Sequence, residues 1–171
     1  MPSVSIIIPT LNEASCLERT LRHLRLLAPA SGEILVVDGG SQDGTVAIAK
    51  QAGVQVLTGH TCGRSAQMNQ GAEVAMGDIL CFLHADTLVP DDLVTVIEQT
   101  LADPTIACGG FISLMAGTAG TQWGGVFAQL PQNLLCPPAV SAPPICEGTA
   151  TAVWRSGDVL PSPGFLGLRW L

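Results

Sequence analysis

A histidine and an aspartate two residues apart, His84-Ala85-Asp86, follow the wholly apolar run Ile79 to Leu83. Residues two apart on an extended segment face the same side, so His84 and Asp86 can present an imidazole nitrogen and a carboxylate to one site. So sparse a donor set suits a hard divalent ion, Mg²⁺ or Mn²⁺, whose shell is completed by phosphate oxygens of a substrate. The structural alternative is that Asp86 or Thr87 caps a helix beginning near Pro90.

Other polar segments share this placement directly after an apolar run. Pro9-Thr10-Leu11-Asn12-Glu13 follows the first run, and Asp38-Gly39-Gly40-Ser41-Gln42-Asp43-Gly44-Thr45 follows the second. Asp38 can accept hydrogen bonds from a base or ribose, as acids at strand ends do in nucleotide-binding folds. Equally, it can cap the next helix or order the Gly39-Gly40 turn. Asp43-Gly44-Thr45 reads as a turn that opens a helix. In Gly63 to Ala72, Arg64 could contact a diphosphate with Asn69 near a sugar, or the segment could be a solvated helix start in which Gly71 and Ala72 permit close packing.

The elements that must position these residues alternate between short β-branched runs and amphipathic stretches, the pattern of a parallel sheet covered by helices. Strands are expected at Val4 to Ile8, ended by Pro9, and at Ile34 to Val37, Val54 to Leu57, Ile79 to Leu83 and Ile106 to Leu114. The first helix carries Cys16, Leu17, Leu21, Leu24 and Leu27 at helical spacing and is capped by Asn12 or Thr10. Ser41 to Ala52, Arg64 to Ala75 and a stretch from Pro90 to Leu101 complete the helices. In an open parallel sheet, ligands bind beyond the carboxyl ends of the strands, so the polar segments should converge on one rim. Arg19, Arg22 and Arg25 read as a solvated face, and His23 and His60 as surface residues without partners.

Length and composition narrow the function. A chain of 171 residues with 47% hydrophobic content holds one compact domain. Fourteen acidic against seven basic residues disfavour a polyanionic nucleic-acid partner, although backbone amides or a divalent cation can still hold phosphates. The six Cys lack zinc-ligand spacing and read as free thiols in a reducing cytosol. No apolar run approaches the roughly 18 residues of a membrane span, and the N-terminus lacks the basic region of a signal peptide, so a cytoplasmic protein is expected. Peripheral membrane contact stays open.

From about residue 117 the character changes. This last third holds seven of the twelve Pro, all three Trp and four charged residues, Glu147, Arg155, Asp158 and Arg169. No helical or alternating period is read there, so an irregular tail is expected at 116–171.

Ser5-Ile6-Ile7-Ile8-Pro9-Thr10-Leu11-Asn12-Glu13, Val36 to Thr45, Gly63 to Ala72 and Gly77-Asp78-Ile79-Leu80-Cys81-Phe82-Leu83-His84-Ala85-Asp86-Thr87, in this order, resemble the family 2 glycosyltransferases. The resemblance spans residues 3 to about 115. It implies a three-layer α/β/α GT-A, Rossmann-like domain with a mostly parallel sheet, truncated relative to the family, with a nucleotide-diphospho-sugar-binding half at 1–115. It further implies transfer of a sugar, typically UDP-linked, to an acceptor hydroxyl with a divalent ion, Mg²⁺ or Mn²⁺, neutralising the leaving diphosphate. Carried over by position, the donor contacts are Pro9, Thr10, Asn12, Glu13, Asp38, Gly40, Ser41, Arg64, Asn69, His84, Ala85 and Asp86. Among them Asp86 is the metal ligand, joined by His84 as a second candidate. Gly39 stands where a second Asp is more usual, and His84 where the first acid of the DXD metal motif is expected. The HADT form looks like the radical-SAM/selenodomain-associated transferases linked to arsenosugar biosynthesis.

Family members continue beyond a segment like Gly109-Gly110-Phe111 into an acceptor-binding half with an acidic general base after a second Gly-Gly, and no such segment is present here. A catalytic base is therefore left unassigned. The other class of function is a non-catalytic nucleotide-binding pseudo-enzyme or inactive fragment. A nucleotidyltransferase is disfavoured because no Gly-rich basic loop follows the first strand. Trp154 to Asp158 is compatible with codons that, read one nucleotide later, give Gly-Asp-Gln-Ala. The same shift permits an Arg-Arg pair and Gly-Gly further on, text of the kind that subgroup carries. A frameshift between about residues 112 and 132 would account for the tail.

Overall fold

In the computed structural model, residues 2–59, 63–106, 108–112 and 149–156 are described. Six strands form one sheet in the order β3-β2-β1-β4-β6-β5. The strands β1 (Val4–Thr10), β2 (Glu33–Asp38), β3 (Gln55–Thr58) and β4 (Ile79–Leu83) pair in parallel. β6 (Thr149–Arg155) runs antiparallel between β4 and β5 (Cys108–Ile112). The helices are α1 (Ala14–Leu24), α2 (Thr45–Gln51), α3 (Arg64–Val74) and α4 (Leu93–Thr100).

Alternation of side chains across the sheet builds two cores and hence three layers. Val4, Ile6, Ile8, Val36, Ile79, Cys81 and Leu83 meet Leu17, Leu21 and Leu24 of α1, Ala49 of α2 and Leu93, Val94 and Ile97 of α4. On the opposite face Ile7, Leu35, Val37, Leu80 and Phe82 pack with Met68 of α3. β1 is buried along its whole length, which its position between two strands and under two helical layers requires. α3 approaches the sheet closely at Gly71, where a Cβ would stand 2.5 Å from Ile7 Cγ2 and 3.1 Å from Val37 Cγ2. Gly71→Ala is therefore expected to lower stability by about 1–3 kcal/mol through overpacking, read as a lower denaturant midpoint at unchanged m-value.

Several expectations need correction. β1 does not stop at Pro9 but runs through Thr10. Its pairing with β4 ends at Ile7, so the missing N–H of Pro9 falls where β2 is the remaining neighbour. Neither Asn12 nor Thr10 caps α1: Glu13 holds the N-cap position without a side-chain cap bond. Asn12 instead adopts a positive φ of 57°, and its Oδ1 accepts the Gln42 amide. The segment expected to be irregular contains β6, because Thr149, Thr151 and Val153 supply β-branched residues at period two. His23 is not without a partner: it is half-buried, with Nε2 2.6 Å from the Val89 carbonyl.

Cys16 and Cys81 are free thiols. Burial pushes the Cys81 thiol up to about 12. The expectations for His60, Cys62, Cys136 and Cys146 and for 116–148 and 157–171 lie outside the described residues. Among the described residues no helix is long and apolar enough to cross a membrane.

Candidate functional site

The carboxyl ends of β1, β2 and β4 carry the three polar segments to one edge of the sheet. Asp38, the last residue of β2, is 2% exposed and organises the loop after it. Its Oδ2 accepts the backbone amides of Gly40 and Ser41, each at 2.9 Å, and its Oδ1 accepts the hydroxyls of Ser41 at 2.5 Å and Thr10 at 3.4 Å. All four acceptor directions of the carboxylate thus have partners within its own loop and β1. Gly40, at φ +100°, takes a conformation that a side chain would strain.

The β1 loop is laced to this one. The Asn12 amide donates to Ser41 Oγ at 2.8 Å, and the Gln42 amide donates to Asn12 Oδ1 at 2.9 Å. Two orphan amides at the start of α1 find side chains of the second loop: Glu13 N donates to Thr45 Oγ1 at 2.8 Å and Ala14 N to Asp43 Oδ2 at 3.1 Å. Asp43 also accepts the Thr45 amide and hydroxyl, and the hydroxyl bond above all holds its carboxyl below the usual range. The Asp43-Gly44-Thr45 turn therefore opens α2, as its sequence suggests.

His84-Ala85-Asp86-Thr87 forms a turn closed by Thr87 N donating to the His84 carbonyl at 3.2 Å. Neither Asp86 nor Thr87 caps α4, whose N-cap position is Asp92. Ala85 is buried, and its carbonyl accepts Thr20 Oγ1 from α1 at 2.6 Å, which pins the turn and leaves Asp86 exposed. Thr20 was invisible to pattern reading because a Thr within an apolar helix face looks like any small core residue.

Four titratable side chains from two of these segments and α3 share this edge. The Glu13 carboxyl is raised above its ordinary 4.5, first by burial and then by the charge of Asp86, with Arg64 acting in the opposite sense and Asp43 adding to the rise. His84 is held below its ordinary 6.5, first by burial and then by Arg64, with Asp86 opposing. Glu13 and His84 thus each feel the charges of Arg64 and Asp86, as groups gathered at one edge would. Because the folded Glu13 binds its proton more tightly than the unfolded chain does, its contribution to stability falls as pH rises from 4.5 through the raised value. Glu13→Gln is expected to raise the unfolding midpoint at pH 7 by a few degrees at most, with the gain vanishing at pH 4.

The donor set fits a divalent ion held lightly. A depressed imidazole pKa keeps His84 neutral and its lone pair available, and Asp86 offers an exposed carboxylate beside it. Among the described residues no group of three or more His, Cys, Asp or Glu side chains could hold a metal, so the described side chains alone would leave the shell open. An open shell is what a substrate diphosphate would fill.

Among the other expected contacts, Pro9 is buried in β1, while Asn69 sits on α3 with its Oδ1 buried and unpartnered among the described residues. Gln67 was missed. Its amide donates from α3 to the Thr10 carbonyl at 2.7 Å and the Val37 carbonyl at 2.8 Å, at the foot of both loops. A groove of about 320 Å³ between α1 and α2, lined by Leu21, Ile48, Ala52 and the Arg22–Glu18 pair, lies away from this edge.

Comparison with known proteins agrees with this geometry. The family model described as glycosyl transferase family 2 matches residues 5–139. The glycosyltransferase AglE of Haloferax volcanii is 37% identical over 94 residues, covering 50% of this chain and 31% of AglE. A PGL/p-HBAD biosynthesis glycosyltransferase of Mycobacterium bovis is 29% identical over 133 residues, covering 74% of this chain and 52% of that protein. The chain thus spans about a third to a half of the length of these relatives. Among solved structures, the mannosyltransferase PcManGT of Pyrobaculum calidifontis, in complex with GDP-Man and Mn²⁺, aligns with a TM-score of 0.65 at 25% identity, covering 90% of this chain and 44% of that one. Glucosyl-3-phosphoglycerate synthase of Mycobacterium tuberculosis shares the fold with a TM-score of 0.61 at 18% identity, covering 91% of this chain and 57% of that one. With its mostly parallel three-layer domain and a family match over most of its length, this chain belongs to glycosyl transferase family 2.

Proposed function

We propose that residues 1–115 form the donor half of a glycosyltransferase that moves a sugar from a nucleotide-diphospho-sugar, UDP-linked, to an acceptor hydroxyl, in the cytoplasm. The observation that carries this reading is the convergence of Glu13, Arg64, His84 and Asp86 beside the laced Pro9–Glu13 and Asp38–Thr45 loops. In this arrangement the Asp38-ordered loop and Thr10, Asn12, Gly40 and Ser41 shape the nucleoside pocket. Arg64 compensates diphosphate charge at the start of α3, and Asn69 Oδ1 accepts a sugar hydroxyl. Asp86 with His84 would hold Mg²⁺ or Mn²⁺, which supplies charge neutralisation to the leaving diphosphate. Support from relatives is of the same kind: the PcManGT structure contains GDP-Man and Mn²⁺, and the mycobacterial synthase structure contains Mn²⁺ and UDP.

The finer assignment is the radical-SAM/selenodomain-associated subgroup, on the strength of His84-Ala85-Asp86-Thr87. In that reading 116–171 is a frameshifted remnant of an acceptor half. The Pro excess and the recovered order of Gly-Asp-Gln, Arg-Arg and Gly-Gly support it, whereas the placement of Thr149–Arg155 as β6 speaks for the sequence as it stands. Sequencing the gene decides: codons whose shifted frame does not spell those residues end the frameshift idea.

Ligand-dependent stabilisation tests the donor assignment. With Mn²⁺ present, UDP is expected to raise the unfolding midpoint more than ADP at the same concentration. Equal shifts for both, or none, contradict a uridine donor site. UDP release from UDP-sugars then separates classes: release above the background of Asp86→Ala marks a transferase, and binding without release marks a non-catalytic nucleotide-binding protein.

A further inference from the structure

Gly39 is not among the glycines with positive φ, so its lack of a side chain has a cause other than backbone freedom. A Cβ there would stand 3.0 Å from Gln67 Nε2, 3.2 Å from its Cδ and 3.5 Å from its Oε1. The Gln67 amide therefore lies flat against Gly39 and occupies the space that a side chain at 39 would take. Gln67 is 6% exposed and comes from a different layer, and both of its hydrogen bonds go to strand ends. Nε2 donates to the carbonyls of Thr10 and Val37, where the β1–β2 ladder runs out at the pair Thr10 and Asp38. An amide nitrogen has two hydrogens, so its donor capacity is used up by bridging these two strands. The Thr10 carbonyl also accepts the Gly39 amide at 2.9 Å, which ties the first residue of the loop to the same bridge. The next donors along the chain, Gly40 and Ser41, bind the Asp38 carboxylate.

We infer that Gln67 is a positioning residue that splints the carboxyl ends of β1 and β2, with Gly39 as the residue that admits it, and so sets the shape of the Asp38 loop. Its effect on a nucleotide rests on the donor-site reading above; the splint itself does not. Removing the bridge takes one donor from each carbonyl, leaving the Gly39 amide on the Thr10 carbonyl and the Thr10 hydroxyl, at 3.4 Å, on the Val37 carbonyl, so the two strand ends and the loop between them are held less firmly.

Native-state amide exchange in the full chain tests the splint. Gln67→Met keeps the length of the side chain and removes both donors. Exchange is expected to speed by about tenfold or more at Gly39, Gly40 and Ser41, while Ile7 and Leu35 stay within about twofold of the parent. Gly39→Ala, which pushes a methyl group against the amide, is expected to give the same local pattern. Uniform acceleration at both sets of amides, or none at Gly39 to Ser41, overturns the inference in whichever variant folds. If neither variant folds, Gln67 is a requirement of the whole fold and the local splint is likewise overturned. Titration with UDP and Mn²⁺ in the same samples is expected to show a loss of about tenfold in affinity, and unchanged affinity beside accelerated exchange would overturn the positioning role. A parent chain that does not bind UDP refutes the donor-site reading instead, and leaves the exchange result to decide the splint.

Discussion

Asp38→Ala is expected to cost about 2–4 kcal/mol of stability and to lower nucleotide affinity by about a hundredfold. The carboxylate is buried and accepts two amides and two hydroxyls, so its removal leaves the Gly40 and Ser41 amides without partners and frees the Ser41 hydroxyl that holds Asn12. Both loops at the edge lose their common anchor. Asp38→Asn preserves shape and one acceptor oxygen but turns an NH₂ toward donors, so an intermediate loss is expected. Urea denaturation and UDP titration measured side by side check both effects. A variant as stable as the parent would show that the loop does not depend on this carboxylate.

Asp86→Ala is expected to behave in the opposite way, leaving stability within about 0.5 kcal/mol of the parent while abolishing the metal dependence of nucleotide binding. Asp86 is exposed, and its hydrogen bond is a 3.4 Å contact from Thr87 Oγ1, so folding gains little from it. The turn that carries it is held by Thr20 on the Ala85 carbonyl, which the substitution leaves intact. Loss of a direct ligand should match or exceed the ten- to hundredfold typical of removing a ligand's supporting partner, so a fall of about a hundredfold in Mn²⁺-dependent UDP affinity is expected. The two substitutions together separate a residue that builds the site from one that acts in it.

What the amino-acid pattern could disclose depended on how local the cause was. β4 appears at Ile79–Leu83 as read, because a continuous apolar run in a doubly covered sheet has no other stable place. α3 begins at Arg64 and packs through Gly71, as its small residues imply. The convergence of the three polar segments followed from one rule about the carboxyl ends of parallel strands. The hidden parts are long-range pairings. Gln67 meets carbonyls 57 and 30 residues away, and Thr20 meets Ala85 65 residues away. No spacing within a helix announces such partners. Asn12 resembles a cap residue in every local respect, yet the neighbouring loop takes its side chain. β6 escaped notice because its alternation is only seven residues long and stands amid prolines.

The central claim is that the edge formed by Glu13, Arg64, His84 and Asp86 is a metal-assisted site for a nucleoside diphosphate. Calorimetric titration of the full chain with UDP, once in Mn²⁺ and once in EDTA, tests it most directly. Saturable binding in Mn²⁺ that weakens sharply in EDTA is the predicted result. Equal binding in both solutions, or binding in neither, would contradict it.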